Sequence, residues 1–184
     1  MEEDTTDIDA AQIEEPESLR KALLDQLRYL VEEIEALRTV VDGLPDQIKN
    51  GRPTPDALSM KELYGSIATL DSEVRRPRVT TIAENDTPAF ESVDPSEKVR
   101  EAGWNEHSMD DILDRVTAAR QELIDHLDAL PSDAWHRAAT LDGDEVTLFD
   151  LVHRITQTDA ERLRDLGYRL HGAHLSDGDE PLPT

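Results

Sequence analysis

Residues 147–166, TLFDLVHRITQTDAERLRDL, decide how this chain reads. Leu148, Leu151 and Ile155, then Thr158, Arg162 and Leu166, recur at the three- and four-residue steps that share one helix face. The spacing predicts a helix opening at Thr147, with Asp150 three residues on, and running to about Leu170. It also aims Thr158 and Arg162 where Leu or Val would ordinarily enter a core. Polar groups on a core-facing stripe cost free energy unless partnered. The stretch therefore marks a site, or the remains of one.

Three further helices read outward from it. Leu23, Leu27, Leu30, Ile34, Leu37, Val41 and Leu44 form an unbroken stripe after Pro16, which suits a first turn. Gly43 and Pro45 are stop signals. A coiled-coil seam has the same spacing but would be short here, so a bundle helix is preferred. Ser59 and Glu62 form a capping box ahead of Met60, Leu63, Ile67, Leu70 and Val74, and Pro77 should kink or end that helix. Ser108 with Asp111 opens the third helix. It buries Met109, Ile112, Leu113, Val116, Leu123, Leu127 and Leu130, and stops at Pro131. Residues 84–107 form a long crossover with one short helix after Pro95. Asp142-Gly143 is a turn signal. No stretch of strand period rivals the helices. The fold class is all-α: a four-helix bundle whose long crossover between helices 2 and 3 departs from simple up-down order. Residues 1–15 read as an acidic disordered tail, 16–172 as the bundle domain and 173–184 as a C-terminal tail.

Composition narrows function. The chain has 184 residues, 42 Asp and Glu against 19 Lys and Arg, and a formal charge of −23. That balance argues against nucleic-acid binding and against anionic membrane surfaces. Strong charge also suggests disorder, but the helical periodicity assigns the charge to solvated faces. Only Lys21, Lys49, Lys61 and Lys98 are lysines. Acidic, Lys-poor chains suit the cytoplasm of a salt-in halophile, where molar salt screens self-repulsion; an ordinary acidic mesophile protein is the alternative. There is no Cys, hence no disulfide frame and no thiolate chemistry. With no signal peptide and no long apolar span, a soluble cytoplasmic protein is expected.

Three segments together resemble the DinB-like superfamily of metal-dependent bundle proteins, whose relatives include bacillithiol- and mycothiol-linked transferases and hydrolases. They are SMKELYGSIATLDSEV (59–74), DDILDRVTAARQELIDHLDALPSDAW (110–135, with Arg120 and Trp135 in their usual places) and TLFDLVHRITQTDAERL (147–163). The likeness spans about 17–170. It implies a metal held by one His from the second helix and an H-x-x-x-H pair on the fourth. Those positions fall here on Ser66, Thr158 and Arg162. Hydroxyls are poor neutral ligands and a guanidinium has no lone pair to give, so no cofactor is expected. The alternative is a divalent Zn, Ni or Mn as in the relatives.

The vacated positions read in two ways: a polar pocket for a small anionic ligand, or an internal cross-brace, which is preferred. A buried Arg162 needs a carboxylate, for which Glu62, Asp71 and Glu73 are the candidates. His153 with Asp150, Gln157 and Glu161 has the makings of a displaced site but lies on the polar helix face. His171 and His174 read as a surface pair, and His107, His126 and His136 show no ligand spacing. Trp104 and Trp135 read as packing residues of the loops. No phosphate loop, nucleophile elbow or H-E-x-x-H run is present, and no catalytic residue is assigned. The preferred function is a binding or assembly module that has lost the three-His site and pairs as a homodimer. The alternative is a divergent metal- or thiol-dependent transferase or hydrolase; a helical adaptor working through its first helix is a third.

Overall fold

A computed structural model describes residues 7–177, with side chains over 17–173. The elements are α1 (Asp7–Asp42), α2 (Asp46–Asn50), α3 (Met60–Leu70), a π turn (Asp71–Arg75), α4 (Arg76–Glu84), β1 (Ala89–Phe90), α5 (Pro95–Glu101), α6 (Met109–Ala129), β2 (Ala138–Leu141), β3 (Asp144–Thr147) and α7 (Leu148–Asp177). Helix α1 opens at Asp7 rather than at Pro16, in keeping with the helix-favouring run of Ala, Gln and Glu between them. Helix α7 likewise runs on beyond Leu170. Of the two expected tails, residues 1–6 and 178–184 lie outside the described residues. No described helix is long and apolar enough to cross a membrane.

Helix α6 packs against both α1 and α3, and α7 touches both from the other side. Helices α1 and α3, joined by the segment that carries α2, therefore sit diagonally, and the crossover of residues 85–107 leads from α4 to α6. Within it α5 begins at Pro95, as expected, with Asp94 accepting from Ser96 N at 2.8 Å. The expected stripes of α1, α3 and α6 are the buried ones, with Leu37, Leu44 and Leu130 partly covered.

Two features depart from the sequence expectations. The chain passes Pro77 without breaking: a π turn opens immediately before it, with Arg76 N bonded to Asp71 O. The wider turn makes room for a residue that lacks an N–H and crowds the preceding turn, and α4 then buries Val79 and Ile82. A small three-stranded sheet also joins the crossover to the loop before α7. Strand β1 runs parallel to β2, which forms a hairpin with β3. Asp142 and Gly143, at φ 56° and 91°, make its turn. Strands of two to four residues are too short to display a period of two. Asp142 also latches the crossover, accepting from Ser92 N at 2.7 Å and from Ser92 Oγ.

The capping box of α3 is reinforced. Ser59 Oγ accepts from Glu62 N at 3.1 Å, and Glu62 Oε2 accepts from Ser59 N at 2.8 Å and from Arg52 Nε at 2.9 Å. Burial pushes the Glu62 carboxyl up, but Arg52 and Ser59 outweigh it and hold the group below its usual 4.5. A depressed carboxyl contributes stability that is present above the unfolded value and lost as pH falls through the folded one. Glu62→Gln is therefore expected to cost about 1 kcal/mol at neutral pH. Urea unfolding across acid pH should show that difference shrinking as the wild-type carboxyl protonates; a pH-independent difference would contradict the assignment.

Candidate functional site

Each of three bundle helices interrupts its apolar face with charge at the same level. One apolar cluster holds Leu30, Ile67, Val116 and Leu166; the other holds Leu27, Val79, Leu123 and Ile155. Between them in sequence fall Asp71 and Arg75 of the π turn, Arg120 of α6, and Asp159 and Arg162 of α7. The outcome is a charged layer between two halves of the core.

Arg120 is its hub. The residue is 0% exposed, as is Asp71, and Asp159 is only 5% exposed. Arg120 Nε lies 2.6 Å from Asp71 Oδ2, and Arg120 Nη1 lies 2.6 Å from Asp159 Oδ2. One planar guanidinium thus ties the π turn to α7 across α6, which a single ammonium could not do in the same geometry. Burial works against its charge, yet the two aspartates outweigh burial and hold it more basic than usual. Arg75 Nη1 adds a 2.6 Å bond to Asp71 Oδ1 and stands 3.5 Å from Asp159 Oδ1. The π turn places Asp71 and Arg75 together here, a common use of such a bulge.

Arg162 is the least satisfied member. Its side chain is 13% exposed, and its nearest carboxylate oxygen, Asp159 Oδ1, is 3.9 Å away. Neither Arg162 Nη1 nor Asp159 Oδ1 has a hydrogen-bond partner, although both are buried. Burial, with repulsion from Arg75, lowers the Arg162 guanidinium to about 10 despite attraction from Asp159 and Asp71.

The residues expected from sequence separate. Ser66 is fully buried, but its Oγ donates to Leu63 O at 2.7 Å within its own helix. Thr158 Oγ1 donates to Arg154 O at 2.9 Å, and the residue is half-buried. Among the described residues, no hydrogen bond or ion pair joins Ser66, Thr158 and Arg162 to one another. Of the carboxylates expected to serve Arg162, Asp71 lies in the layer, Glu62 is held by Arg52 and Ser59, and Glu73 pairs with Lys98 at 2.9 Å. His153 and His171 are exposed; the side chain of His174 lies outside the described residues. Trp104 and Trp135 are buried, as expected for packing residues.

The periodicity misses Asp159 because Ile155 can be continued at either three or four residues. The helix takes four, so Asp159 rather than Thr158 meets the core. Arg120 has a legible signal: it lies four residues after Val116, on the stripe itself. Among the described residues, no group of three or more His, Asp or Glu is arranged to hold a metal ion.

Comparison with known proteins agrees with this architecture. Residues 29–166 match the profile of the DinB superfamily. Among solved structures, the chain is similar to YfiT from Bacillus subtilis, described as "a probable metal-dependent hydrolase with an unusual four-helix bundle topology". The identity is 11% and the TM-score 0.67, over 83% of this chain and 87% of that one. At that identity the likeness speaks for the fold alone. No curated protein matches the chain.

Proposed function

The chain belongs to the DinB superfamily, and from that membership we propose a binding or assembly module whose interior is closed by a guanidinium–carboxylate brace instead of a metal centre. The observation that carries this reading is Arg120, wholly buried and bonded at 2.6 Å to aspartates on two other segments of the bundle. In a chain without Cys, a Zn, Ni or Mn centre draws on neutral imidazole or free carboxylate donors. Here both carboxylates are engaged, and three guanidiniums stand against them. The positions matching the family's ligands carry two hydroxyls and an Arg. This donor set does not fit a divalent metal.

The competing reading, a metal- or thiol-dependent transferase or hydrolase, would need a titrating group within reach of a substrate. The layer supplies aspartates held by Arg75 and Arg120, and guanidiniums, which are poor general bases. Pairing of two copies belongs to the preferred reading. It is supported by the exposed apolar side chains Leu19, Tyr29 and Val40 on α1 and Tyr168 on α7.

Elemental analysis of the purified chain, before and after incubation with Zn, Ni or Mn and dialysis, tests the proposal. The expected content is well below one ion per chain, with no rise in thermal stability. One tightly held ion per chain would overturn it.

A further inference from the structure

Beside the charged layer, a cavity of about 170 Å³ opens between the π-turn helix and α7. Leu70, Val74, Val79, Val152 and Ile155 wall it, and Val93 reaches it from the crossover. Val93 adjoins Ser92, which the Asp142 latch holds in place. The walls are apolar, yet three arginines also line the space: Arg75, Arg78 and Arg154.

Their charges are partly offset within the protein. In the adjoining layer, Arg75, Arg120 and Arg162 face only Asp71 and Asp159. Arg78 and Arg154 are set against Asp142 and Asp150 at the rim. The one surplus guanidinium is that of Arg162, which belongs to the layer and not to the cavity lining, in a chain whose net charge is −23. Arg75 spends Nη1 on the aspartates and is also one of the residues lining the cavity. Arg78 is fixed by donation to Glu91 O and lies over the Phe90 ring, 5.4 Å from its centroid. Arginines beside an apolar wall suit a ligand with one anionic end and one apolar end.

We propose that this cavity binds a small amphipathic monocarboxylate, its anionic end toward Arg75, Arg78 and Arg154 and its apolar body against Val74, Val152 and Ile155. The carboxylates already set against Arg75, Arg78 and Arg154 favour a monoanion over a phosphate dianion. The volume suits a body the size of a benzene ring, which an apolar cavity of about 150 Å³ accommodates. The inference rests on the reading of the chain as a binding module, and adds a site and a ligand class to it.

Calorimetric titration of the full chain with benzoate, benzyl alcohol, acetate and phenyl phosphate tests it. Saturable binding of one benzoate is expected, with each of the other three weaker by about tenfold or more, the range a charge-assisted contact or a buried ring supplies. Arg154→Gln, a change at an exposed residue, should weaken benzoate by about tenfold while leaving the thermal midpoint in place. Absence of saturable benzoate binding would overturn the proposal. So would benzyl alcohol binding as tightly as benzoate, phenyl phosphate binding more tightly, or indifference to Arg154→Gln. Metal content measured on the same sample keeps the two readings apart. An ion with benzoate binding intact defeats the metal-free brace alone; no ion and no benzoate binding defeats the pocket alone.

Discussion

Arg120→Met is expected to lower the unfolding free energy by about 3–5 kcal/mol, the range for removing one partner of a buried ion pair. The substitution nearly preserves volume, so the loss arises from charge. Asp71 and Asp159, at 0% and 5% exposure, would keep only Arg75 and the distant Arg162 against them. Arg120→Lys should fall between the two, because a point charge cannot reproduce two 2.6 Å contacts made by separate nitrogens to carboxylates on different segments. Adding Asp71→Asn and Asp159→Asn to Arg120→Met should deepen the loss, since Arg75 and Arg162 are then left buried without a carboxylate. Arg162→Met should cost far less, or nothing: its guanidinium has no hydrogen bond through Nη1 and is opposed by burial and by Arg75. Urea unfolding at neutral pH in molar salt reads all four. A loss below about 1 kcal/mol for Arg120→Met, the range of an exposed pair, would remove Arg120 as the hub.

Such a layer does more for registry than for net stability. Apolar clusters on either side tolerate sliding of one helix on another, since hydrophobic contact is not directional. The Asp71–Arg120–Asp159 chain of contacts is directional, and it links three segments at once. A shift of α7 by one turn would bring Ile155 or Leu163 to Arg120 and take Asp159 away from both Arg120 and Arg75. The charged level thus sets the axial alignment of α3, α6 and α7, as a buried polar residue does at a helical seam.

The helices are legible in the sequence because their apolar residues repeat often enough to fix a phase. Leu23 through Leu44 and Met109 through Leu127 do so over many turns, and Ser59, Ser108 and Thr147 mark starts that the hydrogen bonds bear out. Phase is less well determined on α7. Three apolar residues before Thr158 allow two continuations, and the one that buries Asp159 differs by a single residue, about 100° of rotation. The π turn is illegible for another reason: it inserts a wider turn inside a continuous helix, and Pro77 draws attention to a break that does not occur. The charged layer itself is a relation among three helices. One stripe shows that Arg162 faces inward, but only packing shows that Asp71, Arg75 and Arg120 arrive at the same level. Ser66 and Thr158 sit at positions matched by likeness to the family, and their hydroxyls bond within their own helices instead.

Gly65→Ala is expected to destabilise the fold by about 1–3 kcal/mol or more through overpacking, although Ala favours a helix interior over Gly by about 1 kcal/mol. The reason is Trp104. A Cβ built on Gly65 would fall 2.6 Å from Trp104 Cε2 and nearer still to Cδ2 and Cγ. The indole has little freedom to withdraw. It is 6% exposed, its Nε1 donates to Thr69 Oγ1 at 3.2 Å, and Arg115 lies over its ring at 5.7 Å. Gly65 is therefore the place where α3 lets the crossover's Trp104 lie flat against the helix, and the propensity given up there is offset by burial of an indole. Trp104→Leu should be costly in the presence of Gly65, since it empties a large buried volume. When Gly65→Ala is combined with Trp104→Leu, the added methyl refills part of that space and the clash is gone. The double variant should accordingly be more stable than the sum of the two single losses predicts, by at least about 1 kcal/mol in a cycle of urea unfolding experiments. Strict additivity would mean that the helix and the indole do not constrain each other, and that the crossover is held by contacts other than this one.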